Sequence, residues 1–344
     1  MRVPFKPAQI YLFFLISLLA VSCGNNKRVD VSNIHLNVSI ERFDKDLGQV
    51  TAHNLNSKAS QLNKKYGFFY RDYMEKMLAV GSVSDTGYYA NLRTVLQNKD
   101  YQELYQTTQQ TFPNLDKQQA ELTDAFKHIK YYYPKTKLPR LIAYISGFAV
   151  QTPIGNDYVG IGLDMFLGAR SKFYPALRES IPAYISRRFT PENITPRVME
   201  SYIREDLFPE PDADKSLISR MIYNGKILYF MDAVMPDIAD SLKIGYTKQQ
   251  MEWAKTYEPD IWGYFLERNL VYETDYFKIQ GYLTEAPFTP DIGEKNDSAP
   301  KLGLFIGWQI VKKYMEKNPD VTVQQLMQET DFQKILNDSH YRPK

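Results

Sequence analysis

The stretch LPRLIAYISGFAVQTPIGNDYVGIGL, residues 138–163, holds two short apolar runs, 138–148 and 158–163, on either side of Gly155-Asn156-Asp157. Both runs are rich in Ile, Val, Leu and Tyr, and the three residues between them are turn formers, so the pattern predicts a β-hairpin. Upstream, Ile34, Leu36, Val38 and Ile40 alternate with polar residues, the period-2 mark of a half-buried strand. Almost everything else has helical periodicity. Residues 43–133 read as helices broken at Gly67, at Gly81-Ser82, near Asn98 and at Pro113-Asn114; the best of them, 116–132, places Leu122, Phe126 and Ile129 on one face. Thr195-Pro196 reads as an N-cap followed by proline, opening a helix toward Leu207 that Pro209 and Pro211 end. Asp214 reads as the cap of a longer helix to about Met235, and Thr247, Thr322 and Asp331 as further N-caps. A last long helix spans 302–317. The expected fold class is α+β: a predominantly helical single domain, residues 34–344, with a small β-sheet.

The first 22 residues form a different kind of segment. Arg2 and Lys6 precede an apolar run from Ile10 to Ala20, too short for a comfortable permanent span, which needs about 20 residues. It reads as a signal peptide. Leu19-Ala20-Val21-Ser22-Cys23 resembles a bacterial lipobox, with Ala20 where leucine is more frequent, and the chain's single cysteine falls where that motif requires it. The resemblance implies cleavage before Cys23, lipid attachment to it, and a polar tether over 23–33. Several acyl chains anchor a protein stably without a spanning helix. Gly24 after the cysteine implies the outer membrane, and the absence of an acid-rich stretch after it implies a body facing the periplasm.

Composition narrows the function. Loss of Arg2 and Lys6 with the leader lowers 42 Lys and Arg to 40, matching 40 Asp and Glu. A neutral chain with no polybasic block is a poor nucleic-acid binder and a poor electrostatic membrane binder. One cysteine cannot build a disulfide framework or a cysteine zinc site. His35, His53, His128 and His340 are too scattered for a zinc helix, and read as solvated, with His128 one turn from Asp124. Gly160-Ile161-Gly162 lacks the further glycine of a dinucleotide loop, and Ser146 lacks the flanking glycines of a nucleophile elbow. No cofactor, metal site or catalytic residue is expected.

Several segments together resemble the gliding-motility lipoprotein B (GldB) family of Bacteroidetes. They include Ile40-Glu41-Arg42-Phe43-Asp44, Tyr144-Ile145-Ser146-Gly147-Phe148, Gly160-Ile161-Gly162-Leu163-Asp164-Met165-Phe166-Leu167-Gly168, Gly225-Lys226-Ile227-Leu228-Tyr229-Phe230-Met231-Asp232 and Gly307-Trp308-Gln309-Ile310-Val311. The resemblance runs over nearly the whole mature chain and lies in the order of the segments, since none is a functional motif alone. It implies a non-catalytic envelope lipoprotein associated with gliding motility, whose partners are the membrane, through Cys23, and other proteins of the gliding machinery.

A more distant likeness is to zinc peptidases of the H-E-x-x-H type. Met199-Glu200-Ser201-Tyr202-Ile203 can be laid on that motif, with Met199 and Ile203 in the histidine positions and Glu200 as the general base; Asn224 on the next helix then stands near a lost third ligand. Methionine and isoleucine cannot replace imidazoles on zinc, so this candidate site is vestigial, a degenerate peptidase-like arrangement. Periodicity alone equally makes Met199 and Ile203 plain core residues, and Asn224-Gly225 a local helix break. The alternative function is a periplasmic hydrolase with a non-standard site. A lipid- or glycan-handling role, suggested by Phe68-Phe69-Tyr70 and Tyr131-Tyr132-Tyr133, carries less weight because such clusters in a chain with 26 tyrosines are usually core.

Overall fold

Three short strands, β1 (Ile40–Arg42), β2 (Arg140–Tyr144) and β3 (Tyr158–Gly162), form one sheet in that order. Both pairings are parallel, with Ile40 opposite Leu141 and Arg140 opposite Tyr158. The expected hairpin is therefore wrong as a pairing of 138–148 with 158–163. The turn at 155–157 does reverse the chain, but the segment it folds back on β3 is 151–154. There Gly160 N donates to Pro153 O at 2.8 Å, Gly162 N donates to Gln151 O at 2.9 Å, and Ile154 bridges Val159 antiparallel. A Cβ on Gly160 would lie 2.7 Å from the Pro153 ring, and one on Gly162 2.6 Å from Val150 O, so this close approach is what the two glycines serve.

The computed structural model describes residues 28–211, 214–294 and 296–344. The segment read as a signal peptide and Cys23 lie outside the described residues. Val31–Lys344 is one compact unit, a helical α+β domain, and no helix among the described residues is long and apolar enough to cross a membrane.

Burial on both faces explains why β2 is a continuous apolar run. Leu141 and Ala143 face one core, Ile142 and Tyr144 the other. The second core is aromatic: Phe43, Tyr66, Phe69, Tyr70 and Tyr73 pack edge-to-face or stacked against one another and against Tyr144 and Tyr158. Tyrosine is tolerated here because its hydroxyls are paired. Tyr70 and Tyr88 share a hydrogen bond at 2.5 Å, Tyr73 donates to Ile145 O at 2.9 Å, and Tyr158 donates to Asp72 at 2.9 Å. Phe69 and Tyr70 are thus core, while Phe68 is exposed.

Four helices contribute most to the first core: α1 (Asp116–Tyr132), α2 (Ile194–Ser201), α3 (Leu217–Val234) and α4 (Leu302–Lys317). In α1, Leu122, Phe126 and Ile129 are wholly buried, as its periodicity predicts. The alternation over 34–40 is also present in the burial, with Val38 and Ile40 buried and Asn37 and Ser39 exposed. Ladder pairing begins only at Ile40, and side chains of α1 take amides up to that point: Val38 N donates to Thr123 Oγ1 and Ile40 N to Gln119 Oε1. α3 is unbroken at Asn224-Gly225. Gly225 and Gly307 instead let α3 and α4 touch backbone to backbone, since a Cβ on Gly307 would stand 1.8 Å from Met221 O.

Two helix starts differ from expectation. α2 begins at Ile194 after a 3₁₀ turn at Pro191–Asn193, and the Thr195 hydroxyl donates to Glu121 at 2.6 Å instead of capping. α3 is capped by Ser216, whose side chain accepts from Ser219 N; Asp214 accepts from Ser216 N just upstream. Thr247 and Thr322 form full capping boxes and Asp331 caps its helix, as predicted. His128 corrects another expectation: it is wholly buried, with Nδ1 2.9 Å from Asp124 O, whereas His35, His53 and His340 are exposed.

Candidate functional site

Arg197, Glu200 and Arg204 recur at three- and four-residue spacing, so α2 and its continuation, a wide π-helical turn at Tyr202–Leu207, carry all three on one stripe. The opposite side of the helix belongs to the core. Met199 and Ile203 are wholly buried there, and neither lines the cleft that the charged stripe faces.

That cleft, about 350 Å³, lies between α2, α3 and the residue preceding α4. On its floor, Glu200 is ion-paired with Arg197, whose Nη2 donates to Lys243 O at 2.9 Å, and lies 3.4 Å from Arg204 Nη2. Arg204 Nη1 donates to Asn224 Oδ1 at 2.9 Å, and Asn224 in turn donates to Arg220 O at 2.7 Å. One guanidinium therefore bridges Glu200 and Asn224. On the far wall, Lys301 occupies the N-cap position of α4 with φ +54°, and its buried ammonium donates to Ile244 O at 2.7 Å while pairing with Glu285. Glu285 also lies 2.9 Å from Arg188 Nη1. At the mouth, Arg220 sits 3.3 Å from Glu210 and over the ring of Tyr276.

Burial by itself would raise the Glu200 carboxyl, but Arg197, Arg204, Lys301 and Arg188 together outweigh it and hold the group down to about 2. Burial likewise works against Glu285, and Lys301 and Arg188 prevail, holding it below the usual carboxylate range. Burial pushes Lys301 down to about 8, with Glu285 opposing and Arg188 and Arg197 adding to the effect. A carboxylate held so far below neutrality is a weak base, and a general base works best with a pKa near the operating pH. Among the described residues no group of three His, Cys, Asp or Glu side chains stands close enough to hold a metal ion. The chemistry the arrangement supports is recognition of charge.

The structure thus brings two of the four candidate residues, Glu200 and Asn224, to one cleft and places the other two in the core. Sequence reading missed Arg188, Arg197, Arg204, Arg220, Glu285 and Lys301. The Arg197, Glu200, Arg204 spacing was the one available signal; the others come from segments far apart in the chain. It also missed Asp164, fully buried behind β2, which accepts from Ser146 N at 2.8 Å, Ser146 Oγ at 2.9 Å and Phe148 N at 2.7 Å. Burial raises the Asp164 carboxyl against these bonds. The role visible here is to clamp the turn in which Phe148 adopts φ +64°.

No curated protein and no solved structure matches the chain. The family model described as gliding motility protein GldB matches residues 24–343. With that match running from Gly24 almost to the C-terminus, the chain belongs to the GldB family of gliding-motility proteins.

Proposed function

We propose that this protein is a non-catalytic envelope lipoprotein, anchored through lipid on Cys23 to the outer membrane with its body in the periplasm, and that it acts by binding other proteins of the gliding machinery. The observation that carries the binding role is an exposed aromatic group beside the cleft: Tyr272, Tyr276 and Phe277, of which Phe277 is 85% exposed and Tyr272 62%. Large apolar side chains left so open within six residues are costly in water and are the residue types that dominate binding hot spots. Glu200, locked as a carboxylate between guanidinium groups, supports the non-catalytic part of the reading. The test is complementation of a deletion strain with the double variant Tyr272→Asp, Phe277→Asp. Expected is a loss of motility close to that of the deletion, at unchanged protein level and melting temperature. Full motility would refute a docking role for this surface.

A further inference from the structure

We propose that the cleft between α2, α3 and Lys301 binds a small ligand carrying two negative charges as phosphate or carboxylate, with Arg204 and Arg220 as its direct contacts. This goes beyond partner binding: the aromatic surface meets the cleft at Tyr276, and the ligand proposed here is held by the charged residues inside it. The first ground is charge. Among the described residues, five cations line the cleft, Arg188, Arg197, Arg204, Arg220 and Lys301, against three carboxylates, Glu200, Glu210 and Glu285, a formal excess of two positive charges. Concentrating cations in a partly desolvated space is unfavourable unless an anion balances them.

The second ground is hydrogen bonding. Arg188 Nε and Nη1 and Arg197 Nε are buried and make no hydrogen bond; the approach of Arg188 Nη1 to Glu285 is an ion pair without hydrogen-bond geometry. Glu285 Oε2 is unpaired as well, so orphan donors outnumber orphan acceptors here three to one. Buried donors are nearly always satisfied, so this surplus shows that the cleft's own carboxylates do not balance the inner cations, whose charge then acts on a ligand through the field and not by contact. The third ground is access. Arg204 and Arg220 keep 28% and 23% of their side-chain surface open, whereas Lys301 keeps 7%, so the outer pair can grip a ligand while the inner cations supply field. Guanidinium forks match phosphate and carboxylate alike. Leu283 and Leu304 on the wall leave room for a short apolar body.

The experiment is calorimetric titration of the full mature lipoprotein in neutral detergent at fixed ionic strength, with inorganic phosphate, with succinate, and with sodium chloride as the control. Expected is saturable binding of phosphate, succinate or both, with none for chloride. Phosphate alone would identify a phosphoryl ligand, succinate alone a dicarboxylate, and both together a site that reads charge and not the oxyanion. Arg220→Gln removes one charge-assisted contact at the exposed mouth and should weaken binding about tenfold. Glu210→Gln removes the carboxylate that competes for Arg220 and should strengthen binding severalfold. The proposal is overturned if neither anion binds beyond the chloride control, or if either variant binds as the wild type does.

Discussion

Glu200→Gln keeps the side chain's shape, removes its charge and turns one acceptor oxygen into a donor, so it measures what the carboxylate contributes among the cations around it. The folded protein holds this group at about 2 against an ordinary 4.5. At about 1.4 kcal/mol per pH unit that difference is worth about 3 kcal/mol at neutral pH. Residual exposure of one-fifth of the side chain trims the expected cost to about 2–3 kcal/mol. The sign follows from the direction of the shift. A carboxyl held down in the folded state stabilises fully above 4.5, and the contribution is lost as pH falls through about 2. At pH 3 only about 1 kcal/mol of it should remain. Urea unfolding of the mature chain, kept free of lipid by Cys23→Ser, gives both numbers from paired midpoints with and without the Glu200→Gln substitution. The variant should unfold earlier by about 2–3 kcal/mol at pH 7, and the gap should narrow sharply at pH 3. A gap below about 0.5 kcal/mol at pH 7, the range of an ordinary surface substitution, would refute the reasoning, as would one that does not change with pH.

Three further outcomes are expected. Gly307→Ala places a methyl group against the Met221 carbonyl, where only backbone can yield, and should cost about 3 kcal/mol or more in the same unfolding assay; a change below about 0.5 kcal/mol would mean α3 and α4 are not in backbone contact. Asn224→Leu deprives Arg204 of its acceptor and should cost about 1–3 kcal/mol, whereas a solvent-facing residue at a helix break would give almost nothing. Cys23→Ser should abolish incorporation of a labelled fatty acid, and equal labelling of wild type and variant would refute lipid attachment at that residue.

Helix ends were legible where the capping chemistry is complete within a few residues, and not at Thr195 or Asp214. The T-x-x-Q pairs at Thr247 and Thr322 supply both halves of a capping box within four residues, and the 116–132 and 302–317 helices begin and end where the sequence places them. Strand direction was not legible. An apolar run, a turn and a second apolar run look the same whether the runs pair with each other or, as here, lie parallel while the intervening 151–154 segment makes the antiparallel contact. Asn224-Gly225 misled for a related reason: glycine in a helix signals either a break or a close neighbour, and the neighbour, Gly307, is 82 positions away. The cleft was half legible. Its α2 stripe follows helical periodicity, but Arg188, Arg220, Glu285 and Lys301 reach it only through tertiary packing.

The most direct measurement is motility of a deletion strain complemented side by side with Glu200→Gln and with Tyr272→Asp, Phe277→Asp, each adjusted to the wild-type protein level. If the protein works by binding partners and not by chemistry at the cleft, Glu200→Gln should restore motility nearly to wild type while the aromatic variant should not. Restoration by the aromatic variant together with a null phenotype for Glu200→Gln would contradict that claim and assign the activity to the carboxylate.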